Sequence, residues 1–472
     1  MKNIRLEHFV RTFLTFAFLF VFLVNSKAQE TALTATVKTG KAPIIIVPGL
    51  TGSELINKKT GDVVWFQRHR AKDDDLRLPI SPVLSRNRDN LVAGDIIRNV
   101  KFLKFLPETE IYDKLIDSLE SRGGYKEGQW NAPPKDGYQD TFYIFSYDWR
   151  RDNVENARLL MQKINALKTK LRKPNLKFNV IAHSMGGLVT RYAAMYGDRD
   201  LPRGNLRPTW AGAKNFNRIF LLGTPNEGSV KSLKAALDGF SYVGGGLNLP
   251  FIQNISKFDI FTIPSIFQLL PHNGTFRIYD ENLQPLKIDL FDPKIWDKYD
   301  WNAINDKDFS KEFSAAEVKN AKAYFVNVLL RAKRFQEALD SNTSEKIPVS
   351  FYLIGGDCKE TPDTAIVYFD KKKNKWKTQF DDDSIERENG EKISSEDIKK
   401  IIYTMGDGVV SKRSLAGETF TQNGRKAFLP VTSEIYLCEG HTKLVTSADA
   451  QDKLFALLFG EVTDRTRAEN NK

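Results

Sequence analysis

Apolar residues along this chain fall into short unbroken runs, and the stretches between them return to apolar positions every third or fourth residue. The runs Ile44–Val47, Phe142–Phe145, Phe178–Ile181, Arg218–Leu222, Val349–Ile354 and Ile435–Leu437 read as strands, the first β-branched throughout as in a strand buried on both faces. Helical spacing predicts Thr109–Arg122, with Ile111, Leu115, Ile116 and Leu119 on one face and Gly123 to end it. Further helices are predicted at Asn156–Leu171, Ala315–Leu339 and Ala450–Phe459, and another opens at Gly186-Gly187 with Leu188, Tyr192 and Met195. Strand and helix alternate, which predicts an α/β fold around a mainly parallel sheet.

Two sections break that rhythm. From about residue 58 to 105 charged and turn-forming residues dominate, and the segment reads as an excursion from the core. From about 228 to 346, Gly244-Gly245-Gly246 and the apolar-rich Ile260–Leu270 predict a cap, whose stretch Phe251–Leu270 is expected to receive acyl chains or an apolar acceptor. Thr364–Phe380 reads as a hairpin with Lys371-Lys372-Lys373-Asn374-Lys375 at its tip; a solvated turn is the plainer reading and a membrane-contacting tip the alternative.

The most informative stretch is Lys177–Tyr196, a buried strand running into a helix through Ala182-His183-Ser184-Met185-Gly186. Small residues two before and two after a serine let strand and helix approach closely, the geometry of a nucleophile elbow, although alanine stands where the first glycine is usual. An ordinary strand-to-helix turn with a capping serine is the competing reading. A second loop, Pro48-Gly49-Leu50-Thr51-Gly52-Ser53, follows the first strand, and in open α/β sheets ligands bind at that carboxyl end.

Composition changes the picture little: 472 residues, 41% hydrophobic and 27% charged, suit a globular protein of one large domain or two. The N-terminus adds more. Lys2, Arg5 and Arg11 precede the apolar run Phe13–Val24 and then Ser26-Lys27-Ala28, the layout of a cleaved signal peptide over residues 1–28, which predicts a periplasmic or secreted protein with its domain over 29–472. That run is short against the roughly 20 residues a membrane-crossing helix needs. The formal charge of +11 includes a net +3 from those residues, so about +8 remains, compatible with an anionic lipid surface. No nucleic-acid-reading motif is present. The two cysteines, Cys358 and Cys438, exclude a multi-cysteine zinc site, and neither a metal nor another cofactor is expected. Each follows a predicted strand, at Val349 and Ile435; as neighbours in the sheet these strands would bring the α-carbons within the roughly 4.4–6.8 Å that a bridge requires.

A serine hydroxyl needs a base within hydrogen-bond reach and an acid that orients the base. In this kind of fold the acid and then the histidine follow the serine along the chain. His8 falls in the leader, His69 precedes the serine, and His183 adjoins it and is expected to point away, which leaves His272 and His441. His441, in Cys438-Glu439-Gly440-His441 just after the last strand, is better placed than His272 within the cap. Asp407, between two glycines in Tyr403–Val410, is the candidate acid from the loop after the preceding sheet strand, although Asp-Gly is also a common turn. The backbone N–H of Met185 and one from the first loop, with Leu50 the candidate, would hold the oxyanion.

Taken together, Pro48–Leu55, Tyr147-Asp148-Trp149-Arg150, Ala182–Gly186, Gly223-Thr224-Pro225, Leu269-Leu270-Pro271, Gly406-Asp407-Gly408 and Gly440-His441 resemble the lecithin:cholesterol acyltransferase and phospholipid:diacylglycerol acyltransferase family. The resemblance implies an α/β-hydrolase core with a membrane-contacting insertion at about 58–105 and a lid at about 228–346. It further implies catalysis by Ser184, Asp407 and His441, oxyanion support from Leu50 and Met185, and ester-linked lipids as substrates. Val409-Val410-Ser411 departs from the Thr-Val-Pro that often follows this family's Gly-Asp-Gly. For Tyr147–Arg150 the residues themselves predict packing near the site and no catalytic role.

Four functions compete at this point. A lipid acyltransferase or acylhydrolase accounts for the apolar cap residues Phe251, Ile252, Phe261 and Phe267, which a carboxylesterase for small soluble esters would not require. A phospholipase without acyl transfer shares the same chemistry. A non-catalytic lipid-binding protein would leave the serine, acid, histidine and oxyanion set unexplained. Neither oligomeric state nor the identity of the acyl donor and acceptor follows from the sequence.

Overall fold

A computed structural model describes residues 40–66, 76–100, 109–240, 255–272, 277–341, 347–387, 389–420 and 426–460. The expected leader at 1–28, the Gly244–Gly246 run, and Phe251 and Ile252 lie outside the described residues. The chain divides into two compact units, Met1–Lys41 and Ala42–Lys472, and every element below belongs to the second.

Seven strands make the central sheet: β1 (Ile44–Val47), β2 (Lys126–Glu127), β3 (Thr141–Ile144), β4 (Phe178–His183), β5 (Phe216–Leu222), β6 (Ser350–Gly356) and β7 (Ser433–Leu437). Their order across the sheet is β7-β6-β5-β4-β1-β3-β2, and every neighbouring pair is parallel. Parallel neighbours need crossover connections, and the helices that provide them cover the sheet, so β1 and β4 are buried at every residue. The principal helices are α1 (Asp113–Ser121), α2 (Asn153–Lys170), α3 (Met185–Tyr196), α4 (Val230–Asp238), α5 (Ala315–Asp340) and α6 (Ala448–Phe459). This is an α/β core around a parallel sheet, the class expected.

Local chemistry sets the ends of these elements. The helix predicted from Thr109 starts at Asp113, because Thr109–Glu110 pairs antiparallel with Asn99–Val100 instead. α2 begins three residues before its predicted start, where the Asp152 side chain accepts the Val154 N–H as an N-cap. β2 gave no signal in the sequence, being two exposed charged residues at the sheet's edge.

After β1 the chain builds a three-stranded antiparallel sheet from Ser53–Asn57, Val63–Trp65 and Leu91–Ile96. The hairpin Thr364–Asp370 with Lys375–Gln379 belongs to a four-stranded sheet that also contains Arg277–Tyr279 and Pro285–Leu286. After β5, the short helices Lys257–Phe261 and Pro264–Phe267 pack on α5: Phe261 stacks on Phe325 at 5.6 Å between ring centroids, and Phe267 meets the same ring edge-on at 5.9 Å. The apolar side chains from Ile260 to Leu270 are buried, in one continuous core with α5 and the central sheet. Among the described residues no helix is long and apolar enough to cross a membrane.

Candidate active site

β4 ends at His183 and α3 begins at Met185, so the chain turns on Ser184 alone. Its φ of 53° lies in the left-handed region, which a side chain rarely occupies and which an elbow imposes on its nucleophile. The Ser184 N–H donates to the Leu222 carbonyl at the end of β5, pinning the turn to the sheet. Ala182, standing where a glycine is usual, is fully buried between Val47 and Leu221 in the register of β1 and β5, and its methyl group fits there.

His441 and Asp407 meet this serine. The His441 Nδ1–H donates to Asp407 Oδ2 at 2.7 Å, which leaves Nε2 free to accept the Ser184 hydroxyl at 2.9 Å. The backbone supports the pair, since the His441 N–H also donates to the Asp407 carbonyl at 2.9 Å. Burial opposes charge on Asp407, but the facing imidazole and the N–H groups of Val410 and Val409 hold its carboxyl below the usual range. Those N–H groups reach Asp407 Oδ1 at 2.7 and 2.9 Å, so the departure at Val409-Val410 leaves the acid's support intact: backbone, not side chain, supplies it. Gly223, with φ +58°, makes room for the base, because a β-carbon there would lie 3.0 Å from His441 Nδ1.

The acid arrives by a route the sequence did not predict. Tyr403–Gly406 is no strand of the central sheet; it pairs antiparallel with Lys359–Pro362, beyond the end of β6. That small ribbon, rather than a sheet strand, carries Asp407 to the site. β6 and β7 are neighbours as expected, and Cys358 and Cys438, just past their ends, form a disulfide with α-carbons 5.0 Å apart.

The loop after β1 closes the other side. A β-carbon on Gly49 would sit 2.8 Å from Ser184 Cβ, so glycine permits the approach that puts Leu50 beside the nucleophile. Met185 is the first residue of α3, where helical N–H groups point outward. Among the described residues, no acceptor engages the N–H of Leu50 or of Met185. An oxyanion formed at a carbonyl attacked by Ser184 therefore has two candidate donors.

His272 does not join this group. Its Nε2 lies 3.0 Å from Asp340 and 3.4 Å from Glu227, and although burial opposes charge, the two carboxylates raise its pKa to about 9. A protonated imidazole cannot accept a proton from serine. Its three-residue cluster brings ligand-type atoms within 4.8 Å of one another, but a charged histidine with Arg191 nearby already balances the two carboxylates.

Sequence reasoning missed two things. His183 does turn from the serine's side, yet its buried ring reaches both Tyr112, Nδ1 to Oη 2.8 Å, and the His441 carbonyl, 3.2 Å from Nε2. Tyr147–Arg150 packs near the site as expected, but through specific bonds: Tyr147 Oη donates to the Pro48 carbonyl at 2.8 Å and Trp149 Nε1 to the Ser53 carbonyl at 3.2 Å. Arg150, fully buried, pairs with Asp148 and with Asp89 of the insertion. Apart from Asp148, two residues from Arg150, these partners lie far apart along the chain, and no local pattern announces them.

Phospholipase A(1) LCAT3 of Arabidopsis thaliana is 26% identical over 357 residues, 68% of this chain and 74% of that protein. Among solved structures, one from the Tle4–Tli4 complex covers 89% of this chain and 98% of its own, with 13% identity and a TM-score of 0.48. The mature Bacillus licheniformis lipase BlEst2 covers 90% and 94%, with 12% identity and a TM-score of 0.33. The family model described as Lecithin:cholesterol acyltransferase matches residues 100–432, and the chain belongs to that family.

Proposed function

We propose that this protein is an exported, serine-dependent lipid acyltransferase or acylhydrolase that takes an acyl group from a phospholipid-type ester onto Ser184 and passes it to a lipid alcohol or to water. The hydrogen-bonded chain Asp407–His441–Ser184 is the observation that carries this reading. Membership of the family supports a lipid acyl ester as substrate, and the likeness to an enzyme named phospholipase A(1) supports a phospholipid as donor.

In the first half-reaction His441 Nε2 takes the Ser184 proton as Oγ attacks the ester carbonyl, and the carbonyl oxygen, now negative, is held by the N–H groups of Leu50 and Met185. The C–O bond to the lipid alcohol then breaks, and His441 returns the proton to that alcohol as it leaves. In the second half, His441 deprotonates the incoming hydroxyl, which attacks the acyl-enzyme; the proton goes back to Ser184 as its ester bond breaks. Asp407 stays ionised throughout, holding the imidazole in the required tautomer. The choice between water and a lipid alcohol lies in what the site positions, since the acyl-enzyme reacts with either.

The leader-like residues 1–28 and the disulfide support a periplasmic or secreted location, and the net positive charge supports work at a lipid surface. The test supplies labelled phospholipid vesicles with and without a long-chain alcohol, sterol or diacylglycerol and separates free fatty acid from new ester. Free acid in every assay, with new ester only when the acceptor is present, is expected. Free acid unchanged by any acceptor would leave a phospholipase and remove the transferase.

A further inference from the structure

Tyr112 and His183 are buried directly behind the site, and no step above uses either. Three hydrogen bonds run through them. The Gly49 N–H donates to Tyr112 Oη at 2.8 Å, Tyr112 Oη and His183 Nδ1 are 2.8 Å apart, and His183 Nε2 lies 3.2 Å from the His441 carbonyl oxygen.

The directions are forced by what each group can do. A carbonyl only accepts, so the His183 proton sits on Nε2 and Nδ1 is left as an acceptor. Tyr112 Oη accepts from Gly49 and so turns its single proton toward Nδ1. One tautomer of a neutral imidazole satisfies the whole chain. Burial, with the nearby charge of His441 adding to it, lowers the His183 pKa to about 3, so this ring stays neutral across any ordinary assay pH.

The chain joins two loops that must both face Ser184. One end is Gly49, whose engaged N–H fixes the peptide just before the Leu50 N–H; the other is the backbone of the base itself. His441 is thereby gripped on both sides, its N–H by the Asp407 carbonyl and its carbonyl by His183. We propose that Tyr112 and His183 are positioning residues of the acyl-transfer reaction, holding the oxyanion loop and the His441 loop in register with Ser184 through one hydrogen-bond chain. The proposal rests on the roles given above to Ser184, His441 and Leu50. Its expected size follows from the sensitivity of such chemistry to placement: an error of about 1 Å costs on the order of 10²-fold in rate, and a lost oxyanion donor costs about 10²- to 10³-fold.

The experiment compares Tyr112→Phe, His183→Leu, His183→Gln and the double variant Tyr112→Phe/His183→Leu with wild type on phospholipid vesicles, each after its thermal midpoint has been measured. Tyr112→Phe keeps the ring and removes the relay, so kcat should fall by about 10- to 100-fold with KM little changed and the midpoint near wild type. His183→Gln retains an amide that can donate to the His441 carbonyl and should recover part of the kcat lost in His183→Leu; being closer in size to histidine, it keeps the test open if the leucine variant does not fold. The double variant should be no worse than the poorer single one by more than about threefold, because both break the same chain. Folded variants with wild-type kcat, or losses that multiply in the double variant, would overturn the proposal. Ser184→Ala in the same assay separates the two levels: if it stays active, the reading of the site fails, whereas an inactive Ser184→Ala beside an unimpaired Tyr112→Phe sinks the relay alone.

Discussion

His441 Nε2 stands 2.9 Å from Ser184 Oγ, although 257 residues separate them along the chain. The elbow after β4 and the loop after β7 bring them together, and the Asp407 carboxylate behind the imidazole fixes which nitrogen faces the serine.

That arrangement predicts unequal losses. Ser184→Ala and His441→Ala should lower kcat by on the order of 10⁴- to 10⁶-fold, and Asp407→Asn by about 10⁴-fold, each as folded protein. His272→Ala, which touches none of these groups, should keep most of its activity. Steady-state rates on one phospholipid substrate decide the matter; an essential His272 with a dispensable His441 would overturn the assignment.

His272 has a different consequence, in stability. Its folded pKa of about 9 exceeds the roughly 6.5 of an imidazole in an unfolded chain, with Asp340, Glu227 and Arg191 as the charged groups around it. The stability it contributes is fully present below about pH 6.5 and is lost as pH rises through about 9. Urea unfolding at pH 6, 7.5 and 9.5 should show wild type losing stability over this window by more than His272→Gln does. Parallel curves for the two proteins would remove the ion cluster from the account.

Cys358 and Cys438 bridge the ends of β6 and β7, three residues before His441. Thiol titration of denatured, unreduced protein should find neither thiol. The double variant Cys358→Ala/Cys438→Ala should lose about 2–5 kcal/mol of stability and some kcat as the His441 loop loosens. Two titratable thiols in freshly purified protein would contradict the bridge.

How much of this was legible in the sequence depended on distance along the chain. The strands of the core showed because continuous runs such as Ile44–Val47 and Phe178–Ile181 have few other homes than a sheet covered on both faces. Ser184, Asp407 and His441 showed because each sits in a short motif at an element's end, and chain order arranges them. β2 did not show, since Lys126 and Glu127 carry charge rather than pattern. The ribbon under Asp407 was misplaced because Tyr403–Gly406 looks like a strand, and nothing local says which partner it takes. The Tyr112–His183 bond spans 71 residues and has no periodicity to reveal it. The apolar stretch Ile260–Leu270 was legible as apolar, but composition alone does not say that its side chains pack into the same core as the sheet.

The most direct test of the central claim is covalent. A long-chain alkyl fluorophosphonate mimics the acyl donor at the moment of attack and stays on the nucleophile. Intact-protein mass should show one adduct on wild type and none on Ser184→Ala, peptide mapping should place it on Ser184, and phospholipid turnover should disappear in step with labelling. An adduct on another residue, or a Ser184→Ala protein that still cleaves phospholipid at the wild-type rate, would contradict the account.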